Sequence, residues 1–282
     1  MKYLILGKTG LLGQALIAEA EAKKLNFIAA GSSQEDLLFN YKLEELFEEA
    51  KPNVIINTIA YTNVDQAELN RYDCSLLNSI FPNNLAVLCK INKIKLVHIS
   101  TDYVFDGLKS SPYNEDDLVN PQSVYGETKL AGENSIITSG LEDWLILRIS
   151  WLFGPHKDNF LSKILKRAIS GTDLKIVNDQ FGNPTYTLDL AVAIFELIKL
   201  GTKGLFHFAN SDSCTWYEFA LNFLNYFPLN NKIDPCSTDQ FKTLAIRPKN
   251  SKFDLTKIST IITTPRSWKD AVKDYVNYLK FD

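Results

Sequence analysis

Methionine occurs once, histidine three times and cysteine four times in the 282 residues. Cys74, Cys89, Cys214 and Cys236 form no C-x-x-C pair, and with the scattered histidines they give no metal-ligand spacing. The expectation is buried, reduced thiols in a cytoplasmic protein, not a disulfide framework. Charge of one sign is also missing. A net charge of −3 does not make the basic footprint of a nucleic-acid binder. No run reaches about 18 apolar residues, so no membrane span is expected. The first apolar run, Tyr3 to Leu6, is too short for a signal-peptide core. Internal repeats and low-complexity tracts are absent.

What is present is alternation. Apolar runs at 2–7, 26–31, 53–60, 95–100 and 144–153 read as strands. Helical periodicity separates them at 11–24, 42–51, 75–92 (with Pro82 as a kink) and 125–137. Continuous Val/Ile/Leu strands in this order predict an α/β fold, a parallel sheet covered on both faces. Beyond about residue 155 the pattern loosens, with helices at 159–171 and 216–227. The reading is therefore two regions. Residues 1–155 form a dinucleotide-binding domain. Residues 156–282 form a smaller α/β substrate-binding region, from which the chain can cross back into the first sheet.

The first strand runs into Gly7-Lys8-Thr9-Gly10-Leu11-Leu12-Gly13, which opens a helix. Glycines here let the backbone turn sharply and approach a pyrophosphate at the helix N-terminus. Strand before and helix after make this a Rossmann-type, doubly wound arrangement. A P-loop would need a glycine where Lys2 stands, so that reading is rejected. The second strand ends Ala30-Gly31-Ser32-Ser33, with no carboxylate to hold a ribose. Ser32 and its neighbour tolerate a 2′-phosphate and Lys8 can reach one, which leans towards NADPH. Glu35 or Asp36 could still bend back and favour NADH.

Tyr125 precedes Lys129 by four residues. With 12 tyrosines in the chain, chance alone supplies roughly one such pair, so its setting must carry the weight. The strand before it ends in Ser100-Thr101-Asp102, where an open parallel sheet binds ligands. Tyr125 and Lys129 share one helical face beside that tip. Reducing a ketone requires a proton as well as a hydride. A free tyrosine, with pKa about 10, exchanges protons poorly near neutrality. A nearby ammonium is expected to lower that value, with Thr101 bonding the carbonyl. The blander reading is a partly buried tyrosine beside a solvated lysine.

The segments GKTGLLGQAL, NTIAYTNVDQAE, STDYVFDG, YGETKLAGE, RISW, VNDQFGNPTYT and RPKNSKFD span residues 7 to 254. Together they resemble the dTDP-4-dehydrorhamnose reductase family of extended short-chain dehydrogenases/reductases. The resemblance implies NAD(P)H-dependent reduction of the 4-keto group of a nucleotide-linked 6-deoxyhexose. It makes Tyr125 the proton donor, Lys129 its cofactor-bound partner and Thr101 the third catalytic group. Gly7, Gly10, Leu11, Leu12, Gly13, Ser32, Asn40, Ala60, Tyr61 and Thr62 would meet the cofactor. Thr101, Asp102, Trp151 and Arg247 would meet the nucleotide sugar, Arg247 as a diphosphate clamp. Asn40-Tyr41 departs from the family's usual Asp-hydrophobic pair. Ala15 stands where some members place a glutamate for magnesium at a dimer interface, so no metal site is predicted. A homodimer stays open, and Asp65, Glu68 and Asp179 are read as hydrogen-bonding or solvated. His98 reads as a core histidine, and His156 and His207 lack catalytic spacing. Trp216 and the Phe219–Phe227 stripe read as core. Two other functions remain open: a related nucleotide-sugar reductase or epimerase, and a non-catalytic NADP-binding regulatory protein like that of methionine adenosyltransferase.

Overall fold

The computed structural model describes residues 1–31 and 40–281; Ser32, Glu35 and Asp36 lie outside the described residues. Strands β1 (Lys2–Leu6), β2 (Asn26–Ala30), β3 (Val54–Asn57), β4 (Lys95–Thr101) and β5 (Trp144–Ile149) pair in parallel. Each is short, and β1, β3 and β5 are almost wholly apolar on both faces, the pattern of a strand covered on two sides; β4 also buries Lys95, His98, Ser100 and Thr101. Strand β6 (Leu152–Phe153) follows a break in the fifth apolar run. That run, expected to be one strand over 144–153, divides because Trp151 adopts a left-handed backbone with φ +47°. Next come β7 (Leu174–Val177), β8 (Phe181–Gly182) and β9 (Thr185–Tyr186). The chain then returns to the first sheet as β10 (Gly204–His207), parallel to β5. The sheet order is β10-β5-β4-β3-β1-β2. Connectivity reverses beside β1, which opens a crevice at the carboxyl ends of the strands.

Helices α1 (Leu11–Ala22), α2 (Asn40–Ala50), α3 (Phe81–Asn92) and α4 (Val124–Thr138) connect the strands. Leu12, Ala15, Leu16 and Ala20 of α1 pack on one face of the sheet. Leu43 and Phe47 of α2, Leu85 and Cys89 of α3, and Ile136 of α4 pack on the other. The helix expected over 75–92 contains a π turn at Leu76–Ile80, and Pro82 sits in the first turn of α3. The backbone stays helical from Arg71 through Ile80 into Phe81, so Pro82 lies inside a continuous helix, and the π turn directly before it is the local irregularity that accommodates its missing N–H. Helices α5 (Phe160–Ile169), α6 (Thr187–Lys199), α7 (Trp216–Leu224) and α8 (Trp268–Phe281) complete the fold. Helix α6 joins α1 over the first sheet, through Leu190, Ile194 and Ile198. Helices α5, α7 and α8 build a second core around Phe153, Phe219, Phe223, Trp268 and Tyr275.

Candidate active site

A cleft of about 530 Å³ opens where the sheet meets the second core. Gly10, Leu11 and Leu12 line one end. Ala60, Thr62, Thr101, Asp102, Tyr125 and Lys129 line its middle, and Trp151 and Trp216 the far side. Gly7, Gly13 and Tyr61 are not among the lining residues; they shape the backbone behind it. Gly7 is left-handed at φ +98°, and a Cβ there would come within 2.3 Å of Thr58 Oγ1. Only glycine fits so close a turn. Helix α1 begins after Gly10 with no side-chain cap and no acidic residue in its first turn. Its leading N–H groups and positive dipole end therefore remain available to an anion, which suits a pyrophosphate.

Thr101 ends β4 and accepts the Tyr103 N–H at 3.2 Å. Its hydroxyl donates to Asp102 Oδ1 at 3.1 Å and also bonds to Tyr125. Ser123 caps α4 by accepting the Gly126 N–H, and this fixes the turn that presents Tyr125. The Tyr125 ring packs edge-on to Tyr103 with centroids 5.4 Å apart. The ring edge meets the cleft while surrounding protein raises the phenol's pKa well above normal. The Thr101 hydroxyl opposes that shift and the Asp102 charge adds to it. This corrects the expectation that Lys129 lowers the tyrosine's pKa: burial dominates, and Tyr125 is held protonated.

Lys129 is only 2% exposed. Its Nζ donates to the Ile99 carbonyl at 2.5 Å and lies 3.3 Å from His98 Nε2. Burial lowers its pKa to about 8, against the pull of Glu133 and Cys74. Asp102 is also buried. Burial raises its carboxyl to about 6, with hydrogen bonds from the Ser251 and Thr101 hydroxyls opposing. Its Oδ2 finds no hydrogen-bond partner among the described residues.

Trp151 is held by close packing. Its ring stacks on Trp216 at 3.7 Å between centroids and 12° between planes. A Cβ on Gly182 would sit 2.6 Å from Trp151 Cε2, so a side chain there would push the ring off its seat. Trp216, expected in the core, does pack against the second core, and its exposed side also lines the cleft. The N-terminal position of Trp216 on α7, after the Thr215–Glu218 capping box, is the signal that could have found it. Lys157, Asp158 and Asn159, which follow β6, also line the cleft and carried no motif.

Arg247 pairs with Asp65, its Nη2 donating to Oδ2 at 2.6 Å. It also bonds to Tyr103, and it is not among the lining residues. Glu68 accepts the Val124 N–H, and Asp179 accepts from Thr238. Asn40 opens α2. No cluster of histidine, cysteine, aspartate or glutamate among the described residues could hold a metal ion.

The family described as the RmlD substrate binding domain matches residues 1–281. The dTDP-4-dehydrorhamnose reductase of Aggregatibacter actinomycetemcomitans is 36% identical, over 98% of this chain and 99% of its own. This chain belongs to the dTDP-4-dehydrorhamnose reductase family. A crystal structure of such a reductase from Clostridium acetobutylicum superposes with a TM-score of 0.94 at 36% identity, covering 99% of this chain and 100% of that one. The enzyme of Bacillus anthracis, solved in complex with NADP, gives 0.94 at 32% identity, covering 98% and 99%. The parallel six-stranded sheet and its flanking helices are those of the extended short-chain reductase fold.

Proposed function

We propose that the protein reduces the 4-keto group of a nucleotide-linked 6-deoxyhexose, dTDP-4-dehydro-L-rhamnose being the substrate of choice, with NAD(P)H as cofactor. One observation carries the reading: a single cleft brings the bare N-terminus of α1 together with Thr101, Tyr125, Lys129 and Trp151. Gly10, Leu11 and Leu12 would hold the pyrophosphate, and Ala60, Thr62 and Lys129 the remainder of the cofactor. The nicotinamide supplies the hydride.

Tyr125 gives its proton to the ketone oxygen. Burial keeps the phenol protonated in the resting cleft, and the Thr101 hydrogen bond, which pulls its pKa back down, favours release of that proton to the forming alkoxide. Thr101, already bonded to Tyr125, bonds the same oxygen and holds it in line. Lys129 stands one helical turn behind and restores the proton. Asp102 anchors a sugar hydroxyl with its unpartnered Oδ2, and Trp151 covers the sugar ring. Arg247 reaches the diphosphate by releasing Asp65, with which it pairs in this structure. The four free, buried cysteines support a reducing, cytoplasmic setting; no helix among the described residues is long and apolar enough to cross a membrane.

The experiment is direct. Purified protein is mixed with NADPH and a dTDP-4-keto-6-deoxyhexose, and nicotinamide absorbance is followed. Turnover is expected. Stoichiometric cofactor binding with no turnover would select a regulatory binding protein instead.

A further inference from the structure

His98 lies in the middle of β4, fully buried, where an apolar residue would complete the strand. Both ring nitrogens have neighbours. Nδ1 is 3.1 Å from Asn57 Nδ2, and Nε2 is 3.3 Å from Lys129 Nζ. Which nitrogen carries the hydrogen follows from Asn57. The Asn57 Oδ1 accepts the Ile59 N–H at 3.1 Å. Turning the amide over would set its NH₂ against that N–H, donor against donor. Asn57 Nδ2 therefore faces His98 Nδ1 as a donor, Nδ1 accepts, and the ring hydrogen resides on Nε2. Burial keeps His98 neutral whether or not Lys129 is charged, and a charge on the lysine acts in the same direction, so a single hydrogen is available.

We propose that His98, its tautomer fixed by Asn57, is a positioning residue that aims an N–H at Lys129 Nζ from the buried side and so directs the lysine's own N–H bonds to Ile99 and to the cleft. An amine can accept that hydrogen through its lone pair; an ammonium has none. The geometry thus works against the ammonium, and burial acts in the same direction, so that the pKa falls to about 8 and the neutral amine is a populated partner of the ammonium near neutrality. The other groups that face the lysine oppose it or stay neutral. Glu133, one turn along α4, favours the charged form, but Arg148 binds that carboxylate in bidentate fashion and Ser100 donates to it. Cys74, from the helical turn Arg71–Ser75, also favours charge, though its own thiol is pushed up by burial. Tyr125 stays protonated. The lysine is left ready to gain a proton when negative charge enters the cleft. A spectator histidine would contribute packing alone.

The inference concerns the same site as the proposed reductase and rests on Lys129 serving it, but its test needs no substrate. Three histidines are present in the chain, so long-range ¹H–¹⁵N spectra of ¹⁵N-histidine-labelled protein can be assigned by comparison with His98→Phe. His98 is expected as the Nε2–H tautomer from about pH 6 to 9; the Nδ1–H tautomer overturns the inference. Lysine ¹³Cε titration, with Lys129 assigned through Lys129→Met, should give a midpoint near 8 in the wild type. In His98→Phe the midpoint should rise by about one pH unit, the scale of one ordinary hydrogen bond to the neutral amine. His98→Gln, whose amide oxygen can face the amine, should raise it similarly and serves if the phenylalanine variant does not fold. A folded variant with an unmoved midpoint overturns the inference, whatever its turnover. Expected spectra in a protein that reduces no ketone would sink the reductase and leave the His98–Lys129 relationship standing.

Discussion

Trp151 lies flat against Trp216, one from the break between β5 and β6 and the other from the first turn of α7. The pair joins the first sheet to the second core at the cleft wall. Trp216→Ala should leave Trp151 unsupported. Aromatic pairs contribute about 0.5–1.5 kcal/mol beyond area burial, so kcat/KM for the sugar nucleotide should fall by roughly 3–10-fold while cofactor affinity holds. Gly182→Ala should move the ring from the other side and have the same kinetic signature, with about 1–3 kcal/mol of lost stability. Steady-state kinetics beside cofactor titration separates the two effects, and a uniform loss of both affinities would count against the wall.

Tyr125→Phe removes the one proton that the ketone oxygen needs. Turnover should fall by about 10²–10⁴, with NADPH binding by fluorescence titration nearly unchanged. A variant with close to wild-type kcat would end the assignment of Tyr125 as donor.

Asp102 binds its proton more tightly in the folded protein than in the unfolded chain, because its folded pKa is raised to about 6. Its contribution to stability is complete below about pH 4 and lost as pH rises through 6. Asp102→Asn keeps a polar group beside Thr101 without the charge. Above pH 6 this variant should therefore be more stable than wild type, by roughly 3 kcal/mol at most, and the gap should close towards about pH 4. Urea denaturation at the two pH extremes measures it; an equal gap at both would mean that the carboxyl's ionisation is not the cause. Activity should fall, as expected where a site keeps a costly group for its use.

Glu133 and Arg148 form a fully buried bidentate pair, with Nε and Nη2 donating at 2.9 and 2.7 Å. Removing one partner strands the other charge. Glu133→Leu or Arg148→Met alone should cost about 3–5 kcal/mol, whereas the double variant should recover much of that loss. A double-mutant cycle by denaturation gives the answer, and additive losses would refute the coupling.

NADPH should be preferred to NADH, modestly and less so at high salt, because Lys8 is exposed in the loop beside the adenosine end. Lys8→Ala should narrow the ratio of the two kcat/KM values. A clear NADH preference at low and moderate salt would point to Glu35 or Asp36 as ribose ligands.

The first βα unit was legible because its requirements are local. A left-handed Gly7 and an open helix start can be read from seven consecutive residues. Tyr125 and Lys129 could be placed on one face, but not given an electrostatic balance, because that depends on enclosure by Tyr103, Thr101 and Asp102. His98 read as core and is buried, yet its neighbours Asn57 and Lys129 are 41 and 31 residues away; no periodicity announces such a pairing. Trp151 read as strand, since the seat of its ring is formed by Gly182 and Trp216, which belong to other elements. Arg247 shows the same limit: a guanidinium suited to phosphate is paired with a carboxylate 182 residues earlier.

The late return of β10 has a consequence for biosynthesis. Until His207 has left the ribosome, the nascent chain holds β5 as an open edge, with Leu145, Ile146, Leu147 and Arg148 waiting for the partners they find in Gly204, Leu205, Phe206 and His207. Bare strand edges invite pairing with other chains. A pause in translation before His207 has emerged would therefore lengthen the interval in which two nascent copies can join edge to edge, and one placed after its emergence would not.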